Sequence, residues 1–488
     1  MYDKTITMSY DVVIIGSGLG GLVAGAKLAK EGRKVLIIEQ HTSIGGYATC
    51  FTQNNFTIDV GFHSVDGLYL DDPKIKVFED LDVYFNLEFV TLPLELYRYV
   101  NNRIDISIPN TKEGAIEVLT EHFPKEKHGI IEFFRTIENI FSSEWKNKTA
   151  GEMLDSMIKD NDLKLALVGI IQYYGDDPYY LSALSFSAAL ARNFKGGNHY
   201  IKGGSVKLTD YLANYIREHE GKILLGQEVT KILIDPEKEI VEGVEYRSTN
   251  DINEEQTTAS AKSVIVNAPL PVAAKLLSSE SKNAVQLQEM MKHLKIGHSA
   301  LNIYFGFETT LDNLNHKSYL TVVNHKSVYS LKDIFENNNM RYSQKNFIFV
   351  DYGQTDTGMA PFGKSTGVIS TVDYLHNWDN LSDEEYSAKK KEIEKIFIEK
   401  LDLLIPGVWD HIEYISVATP KTLERYTKNP KGSVIGFTRN PLQVRMYPLT
   451  SPIKNLHFTS AWSVPGGGFT SIIDASWRVA VSVLKRRR

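Results

Sequence analysis

Short, almost unbroken apolar runs alternate with helical periodicities at the start of the chain. "YDVVII" (10–15) is β-branched and nearly all apolar, the pattern of a strand covered on both faces. After a glycine-rich stretch comes "LVAGAKLAKEG" (22–32), an Ala- and Leu-rich helical pattern with Gly32 placed as a C-cap. "KVLIIE" (34–39) is a second buried strand, and the three predict a βαβ unit of about 30 residues. Further along, the pattern predicts a helix over 206–219 and strands near 223–234 and 240–247. It also predicts a buried strand in "SVIVNAPLP" (263–271) that ends in a proline-bounded turn. Near the end, "LHFTSA" (456–461) reads as a short strand. Ile472, Ile473, Ala475, Trp477, Val479, Ala480 and Val483 then recur at helical spacing after the turn Pro465-Gly466-Gly467-Gly468. Helical stretches at 130–141, 151–172 and 384–404 and strand-like runs such as "ALNIYFGF" and "NFIFVDYG" fill the intervening parts. No repeat or low-complexity tract interrupts them. The longest apolar stretches, such as "LALVGII" (165–171), fall well short of the roughly 20 residues that cross a bilayer.

The loop of the first unit carries chemistry. Gly16-Ser17-Gly18-Leu19-Gly20-Gly21 matches G-x-G-x-x-G between a predicted strand and a predicted helix. Gly16 permits the tight turn, Gly18 lets backbone amides approach a pyrophosphate, and Gly21 lets helix and strand pack closely. The helix start offers unpaired N–H groups and partial positive charge to phosphates. Glu39 closes the second strand 39 − 21 = 18 residues after the last glycine, about where a carboxylate takes the ribose hydroxyls of an adenosine. The combination predicts dinucleotide binding. A second pair, Gly45-Gly46, follows six residues after Glu39 (45 − 39 = 6), where the chain must pass the same ligand again. The pair is expected to allow close approach and to free two more amides.

Composition narrows the partners. At 488 residues the chain is long enough for two or three compact units. Lys plus Arg is 54 and Asp plus Glu is 60, so the formal net charge of −6 gives no support to nucleic-acid binding. One cysteine, Cys50, allows no intrachain disulfide and no cysteine-based metal cluster, and no metal is expected. The opening "MYDKTITMSYD" lacks the basic-then-apolar layout of a signal peptide, and Met8 is a second candidate start; a cytoplasmic location is the expectation. The final "KRRR" is a basic tail that could meet anionic headgroups, so peripheral membrane association is kept open, although such an ending is more often a solvated terminus.

The stretch "EQHTSIGG…F…F.IDVGFH" resembles the N-terminal signature of the phytoene desaturase, carotenoid isomerase and retinol saturase group of FAD-dependent oxidoreductases. Residues 202–232 resemble that group's glycine turn, helix and adenine-flanking strand. Residues 455–485 resemble its C-terminal flavin-contacting strand, turn and helix. The resemblance implies an α/β fold: a Rossmann-like FAD-binding domain of the glutathione-reductase-like superfamily with an inserted α+β substrate domain. The FAD-binding domain would be discontinuous, built from 1–70, 200–285 and 410–488, with 71–199 and 286–409 forming the substrate domain. Besides the glycine loop and Glu39, the resemblance puts Gln40, Gly45, Gly46, Tyr47, Ala48, Val229, Asn267, Gly467, Gly468 and Phe469 at the cofactor. Two departures stand out. Tyr47 occupies the place where many superfamily members carry a pyrophosphate-neutralising arginine, and "TSAWSVP" lacks the acid that many have there.

The implied activity is desaturation or saturation of C–C bonds in a hydrophobic, polyene or isoprenoid-like substrate, with hydride transfer at flavin N5. A second nicotinamide fingerprint is absent, so electrons would pass to or from an external donor or acceptor. His63, just after "IDVG", is the candidate proton-handling group, because imidazole titrates near neutral pH. Asp59 is expected to order the local loop; a covalent tether through Cys50 is not expected. Aromatic residues in "QYYGDDPYYLSALSF" (172–186), with Phe437, Tyr447 and Phe469, are candidates for a substrate tunnel. A redox-neutral cis–trans isomerase, an amine or amino-acid oxidase, and a flavin-binding scaffold without catalysis remain as alternatives.

Overall fold

The computed structural model describes residues 8–141, 143–250, 256–443, 451–463 and 466–485. The first strand, Met8–Ile15, lies inside a seven-stranded sheet, paired in parallel with Val35–Ile38 on one side and Thr257–Val266 on the other. Lys222–Leu224 extends one edge in parallel. Ile240–Ser248 and Gln227–Asp235 add antiparallel strands at the other, and Leu456–Phe458 pairs in parallel with Thr257–Val266. The helix Leu19–Lys30 is buried along nearly its whole length. It packs on helices Val206–Glu218 and Phe469–Lys485, so it has no solvated face to pattern with charge. Gly25 is the contact point: a Cβ there would lie 2.9 Å from Ile37 Cδ1 and 3.1 Å from Ile216 Cδ1.

A second seven-stranded sheet runs in the order Ile412–Ala418, Ser299–Phe307, Ser365–Asp373, Phe347–Asp351, Leu320–Val323, Glu95–Val100, Asp105–Pro109. Strand Ser299–Phe307, next to the edge, shows two-residue alternation over Ala300–Phe305. Leu301, Ile303, Phe305 and Phe307 form a core with Ile393, Phe397 and Leu401 of helix Asp383–Leu404. Ala300, Asn302 and Tyr304 face the other way, together with their register partners Val372, Ser370, Ala418 and Ser416.

Two sequence expectations shift. Strand Ile412–Ala418 lies within the segment assigned to the nucleotide-binding part, yet it pairs antiparallel with Ser299–Phe307, so the last return to the first sheet begins after it. The stretch 151–172 is not one helix but two, Ala150–Met157 and Asn161–Leu167, with a 3₁₀ turn at Ile171–Tyr173. The break falls where Asp160 caps the second helix by accepting from Leu163 N. Of the tail "KRRR", only Lys485 is among the described residues. No helix among those residues is long and apolar enough to cross a membrane.

The second sheet is tied to helix Val206–Glu218, which packs on the first helix, through one short segment, 59–63. The buried Asp59 carboxylate accepts from Ser205 N at 2.7 Å, Ser205 Oγ at 3.0 Å and Phe62 N at 3.0 Å, and so anchors the start of helix Val206–Glu218. Tyrosines of the second sheet and its flanks reach across to the carbonyls that follow. Tyr304 donates to Val60 O (2.7 Å), Tyr352 to Phe62 O (2.9 Å) and Tyr319 to His63 O (2.6 Å). Burial raises Asp59 to a pKa of about 6 despite its donors. A carboxyl raised by folding favours the native state most at low pH, and that contribution is lost as pH rises through about 6. The stability of wild type relative to Asp59→Asn is therefore expected to fall between pH 4 and pH 8. At about 1.4 kcal/mol per pKa unit the change is a few kcal/mol at most, and urea unfolding of both proteins across that range measures it.

Candidate active site

A single cavity of about 1020 Å³ runs from the glycine loop to the polar face of the second sheet. It reaches the top of the range of about 300–1,000 Å³ usual for small-molecule pockets, enough for a large ligand.

At one end the loop geometry follows from its glycines. Gly16 sits at φ +94°, and a Cβ on Gly21 would lie 2.2 Å from Gly16 O. Helix Leu19–Lys30 starts at Gly18 with no side-chain cap and no acid in its first turn. Its first N–H groups are thus open to an anionic ligand. Asn267 donates Nδ2 to Gly16 O at 3.3 Å and lies so close that a Cβ on Gly18 would be 2.9 Å from Nδ2. Glu39 Oε2 accepts from Ser17 N (2.7 Å) and Ser17 Oγ (2.9 Å), and Oε1 accepts from His41 N (2.9 Å). An ionised carboxylate has about four acceptor positions, so three bonds orient it and leave acceptor capacity at the cavity wall, which Glu39 lines. An uncapped helix start beside an oriented acid fits the adenosine diphosphate half of FAD.

Of the expected cofactor residues, Gly16, Gly18, Leu19, Gly20, Glu39, Gln40, Gly45, Gly46, Tyr47, Ala48, Val229, Asn267, Gly467, Gly468 and Phe469 all line this cavity. Ser17 and Gly21 do not. Ser17 is fully buried and spent on Glu39, and Gly21 serves helix packing. The glycine pair also differs from expectation. Gly45 N donates to Ser17 O at 3.0 Å, so its amide is taken. What the pair supplies is close passage: a Cβ on Gly46 would sit 3.4 Å from Gly18 Cα. Burial pushes the Tyr47 phenol up to about 12, so it stays neutral and brings no positive charge.

At the C-terminal turn Gly466 and Gly468 take φ +100° and +105°, which glycine adopts without strain. Arg439 donates to Gly467 O at 3.1 Å, while a Cβ on Gly468 would meet nothing within 4 Å. The turn is thus bare on the cavity side, as a flat ring requires. Pro465 and Tyr447 lie outside the described residues. Phe469 opens the last helix and packs on Phe62, ring centroids 4.3 Å apart.

Much of the remaining wall is aromatic and aliphatic, with Phe62, Tyr173, Tyr174, Tyr319, Leu96 and Ile170, while Asp66, Glu95 and Arg192 also line it. Among the candidate tunnel aromatics, Tyr173, Tyr174 and Phe469 face the cavity. Phe186 and Phe437 are core, the latter packed edge-on to Trp462. His63 lines the cavity next to Phe62; its Nδ1 is 2.6 Å from the Tyr173 hydroxyl. Burial lowers its pKa to about 4, so the imidazole is neutral near pH 7 and does not titrate there as the sequence reading supposed. Asp59 does order the loop, and the Cys50 thiol, raised by burial, donates to Asp59 Oδ2 at 3.4 Å. A protonated thiol held this way is a poor nucleophile. Missing from the sequence reading are Asn302, Tyr304, Tyr319 and His298, which line the same cavity. For the first two the two-residue alternation of the strand was the available signal.

Residues 19–484 match the family model described as flavin-containing amine oxidoreductase. The chain is 25% identical to the all-trans-retinol 13,14-reductase of Danio rerio over 92% of its own length and 82% of that protein's. It is 26% identical to prolycopene isomerase 2 of an Oncidium hybrid cultivar (95% and 82%). With 4,4'-diapophytoene desaturase of a Methylomonas species the figure is 23% (98% and 95%). Among solved structures, an oxidoreductase from Methanosarcina mazei superposes with a TM-score of 0.69 at 19% identity, covering 98% of this chain and 100% of that one. Cyclohexylamine oxidase from Brevibacterium oxydans gives 0.68 at 16% identity (98% and 99%), a likeness of fold alone. The resemblance read from the sequence is borne out. The chain belongs to the flavin-containing amine oxidoreductases and is an FAD-dependent oxidoreductase.

Two variants test the cofactor end. Gly18→Val is expected to fold, judged by circular dichroism, but to purify colourless, because its side chain collides with Asn267 and blocks the helix start. Glu39→Ala is expected to purify with sub-stoichiometric flavin and to release the rest on dialysis; the absorbance ratio of flavin to protein reads both.

Proposed function

We propose that this member of the family acts on C–C bonds of a hydrophobic, polyene or isoprenoid-like substrate, as a desaturase or a saturase. The observation that carries the reading is the continuity of one cavity from the glycine-lined cofactor end into a wall of apolar and aromatic side chains. Similarity to a retinol reductase and a diapophytoene desaturase supports the same substrate class. When bound, FAD supplies hydride exchange at its N5 position.

The work of the protein's own residues is binding, orientation and exclusion of water. Glu39 and the start of helix Leu19–Lys30 would hold the nucleotide half, with Gly45, Gly46 and the Gly466–Gly468 turn leaving room for the ring. Phe62, Phe469 and Tyr319 would press an extended apolar substrate into place, because such a chain gains little from any single polar contact. His63 would touch the substrate beside Phe62. The chain carries one dinucleotide fingerprint, so its electron partner would be an external donor or acceptor.

A redox-neutral isomerase is a second reading, favoured by the similarity to prolycopene isomerase 2. Anaerobic incubation of the oxidised or reduced holoenzyme with a polyene separates the two by product mass. Loss or gain of the mass of H₂ is the expected result, whereas an isomer of unchanged mass supports isomerisation. Peroxide release with amines and none of these products would refute both.

A further inference from the structure

We propose that the Tyr173 hydroxyl fixes the tautomer of His63, so that the imidazole presents Nε2–H to the cavity and meets the substrate as a neutral hydrogen-bond donor. This deepens the reading above and rests on His63 facing the substrate.

The geometry leaves two arrangements for the contact of 2.6 Å between His63 Nδ1 and the Tyr173 hydroxyl, whose rings lie 5.4 Å apart at 66°. In one, the phenol donates to a bare Nδ1 and the ring proton sits on Nε2. In the other, Nδ1–H donates to the phenol oxygen and the phenolic proton needs an acceptor of its own. Among the described residues His63 Nδ1 is the hydrogen-bond partner of that hydroxyl. The first arrangement leaves one group of the pair without a protein partner, Nε2–H; the second leaves two, the phenolic proton and the bare Nε2, so the first costs less. Burial raises the Tyr173 phenol far above its ordinary range, so it keeps the proton it must donate.

Both partners are held from elsewhere. The His63 carbonyl accepts from Tyr319 and the preceding carbonyl from Tyr352, which fixes the backbone under the imidazole. Tyr173 sits on the 3₁₀ turn Ile171–Tyr173, whose Gln172 donates to Ser370 O (3.3 Å) while His298 Nε2 contacts Gln172 O (3.0 Å). The phenol is thus braced against the second sheet. Nδ1 is occupied, the ring lines the cavity, and among the described residues Nε2 has no protein partner. A neutral imidazole N–H is far too weak an acid to serve as a proton store. It can stabilise an electron-rich group, either an oxygen lone pair or the π-face of a conjugated chain, in the manner of other neutral histidine electrophiles.

The test is a two-bond ¹H–¹⁵N correlation spectrum of the holoenzyme labelled at histidine, with the His63 signals assigned by their loss in His63→Gln. The expected result is a neutral Nε2–H tautomer unchanged across about pH 6–8, giving way to a mixture in Tyr173→Phe. An Nδ1–H tautomer, a His63 that titrates in that range, or a Tyr173→Phe spectrum identical to wild type would overturn the proposal. If Tyr173→Phe does not fold, the wild-type tautomer still decides, and side-chain mimics add a second measurement. The glutamine amide places its nitrogen near Nε2 and the asparagine amide near Nδ1. His63→Gln is expected to exceed His63→Asn in kcat/KM by about tenfold; the reverse order would count against the assignment. Failure of the polyene reading would show instead in the products, with the tautomer signals intact.

Discussion

Everything in this fold that concerns the cavity depends on how residues 59–63 are held. Their carbonyls accept from Tyr304, Tyr352 and Tyr319, and Asp59 at their head is saturated with donors from Ser205 and Phe62. The tyrosine rings are buried, so each hydroxyl must find an acceptor inside the protein, and the carbonyls of an irregular segment must find donors. Both needs are met at one place. The second sheet and helix Val206–Glu218 are consequently joined through this segment by directional contacts, which fix where Phe62 and His63 stand; apolar packing alone would tolerate sliding.

The same economy of polar groups shapes the cofactor end. Ser17 does not line the cavity, yet its amide and hydroxyl aim the Glu39 carboxylate, and His41 N completes the cradle. An acid oriented before its ligand arrives loses little freedom on binding. Tyr47 stays neutral, so the negative charge of a pyrophosphate would meet the open N–H groups of the first helix with no arginine at that position.

Local signals carried much of this in the sequence. The glycine loop, Glu39, the pair at 45–46 and the final glycine turn are read from residue type and spacing because each solves a backbone problem within a few residues. Helix Val206–Glu218 is equally plain from periodicity, whereas the strand expected over 263–271 runs from Thr257 to Val266, because its first half is too polar to read as buried. What escaped depends on contacts between distant segments. Strand Ile412–Ala418 looks like any short strand until its pairing with Ser299–Phe307 is known. The depressed pKa of His63 follows from burial that no local pattern reveals, and its tie to Tyr173 spans 110 residues. The Gly45 amide looked free in sequence because Ser17 O, its acceptor, belongs to an earlier turn.

The strand Ser299–Phe307 divides its labour between faces: Leu301, Ile303, Phe305 and Phe307 build a core against helix Asp383–Leu404, and Ala300, Asn302 and Tyr304 face the cavity. Variation at Ala300, Asn302 or Tyr304 would therefore reshape the cavity while the core against that helix goes untouched, as far as Tyr304 can be spared from Val60. A scaffold with that separation can diversify its chemistry at low cost to folding. Reductases, isomerases and desaturases that each share about a quarter of their residues with this chain are the kind of lineage it would leave behind.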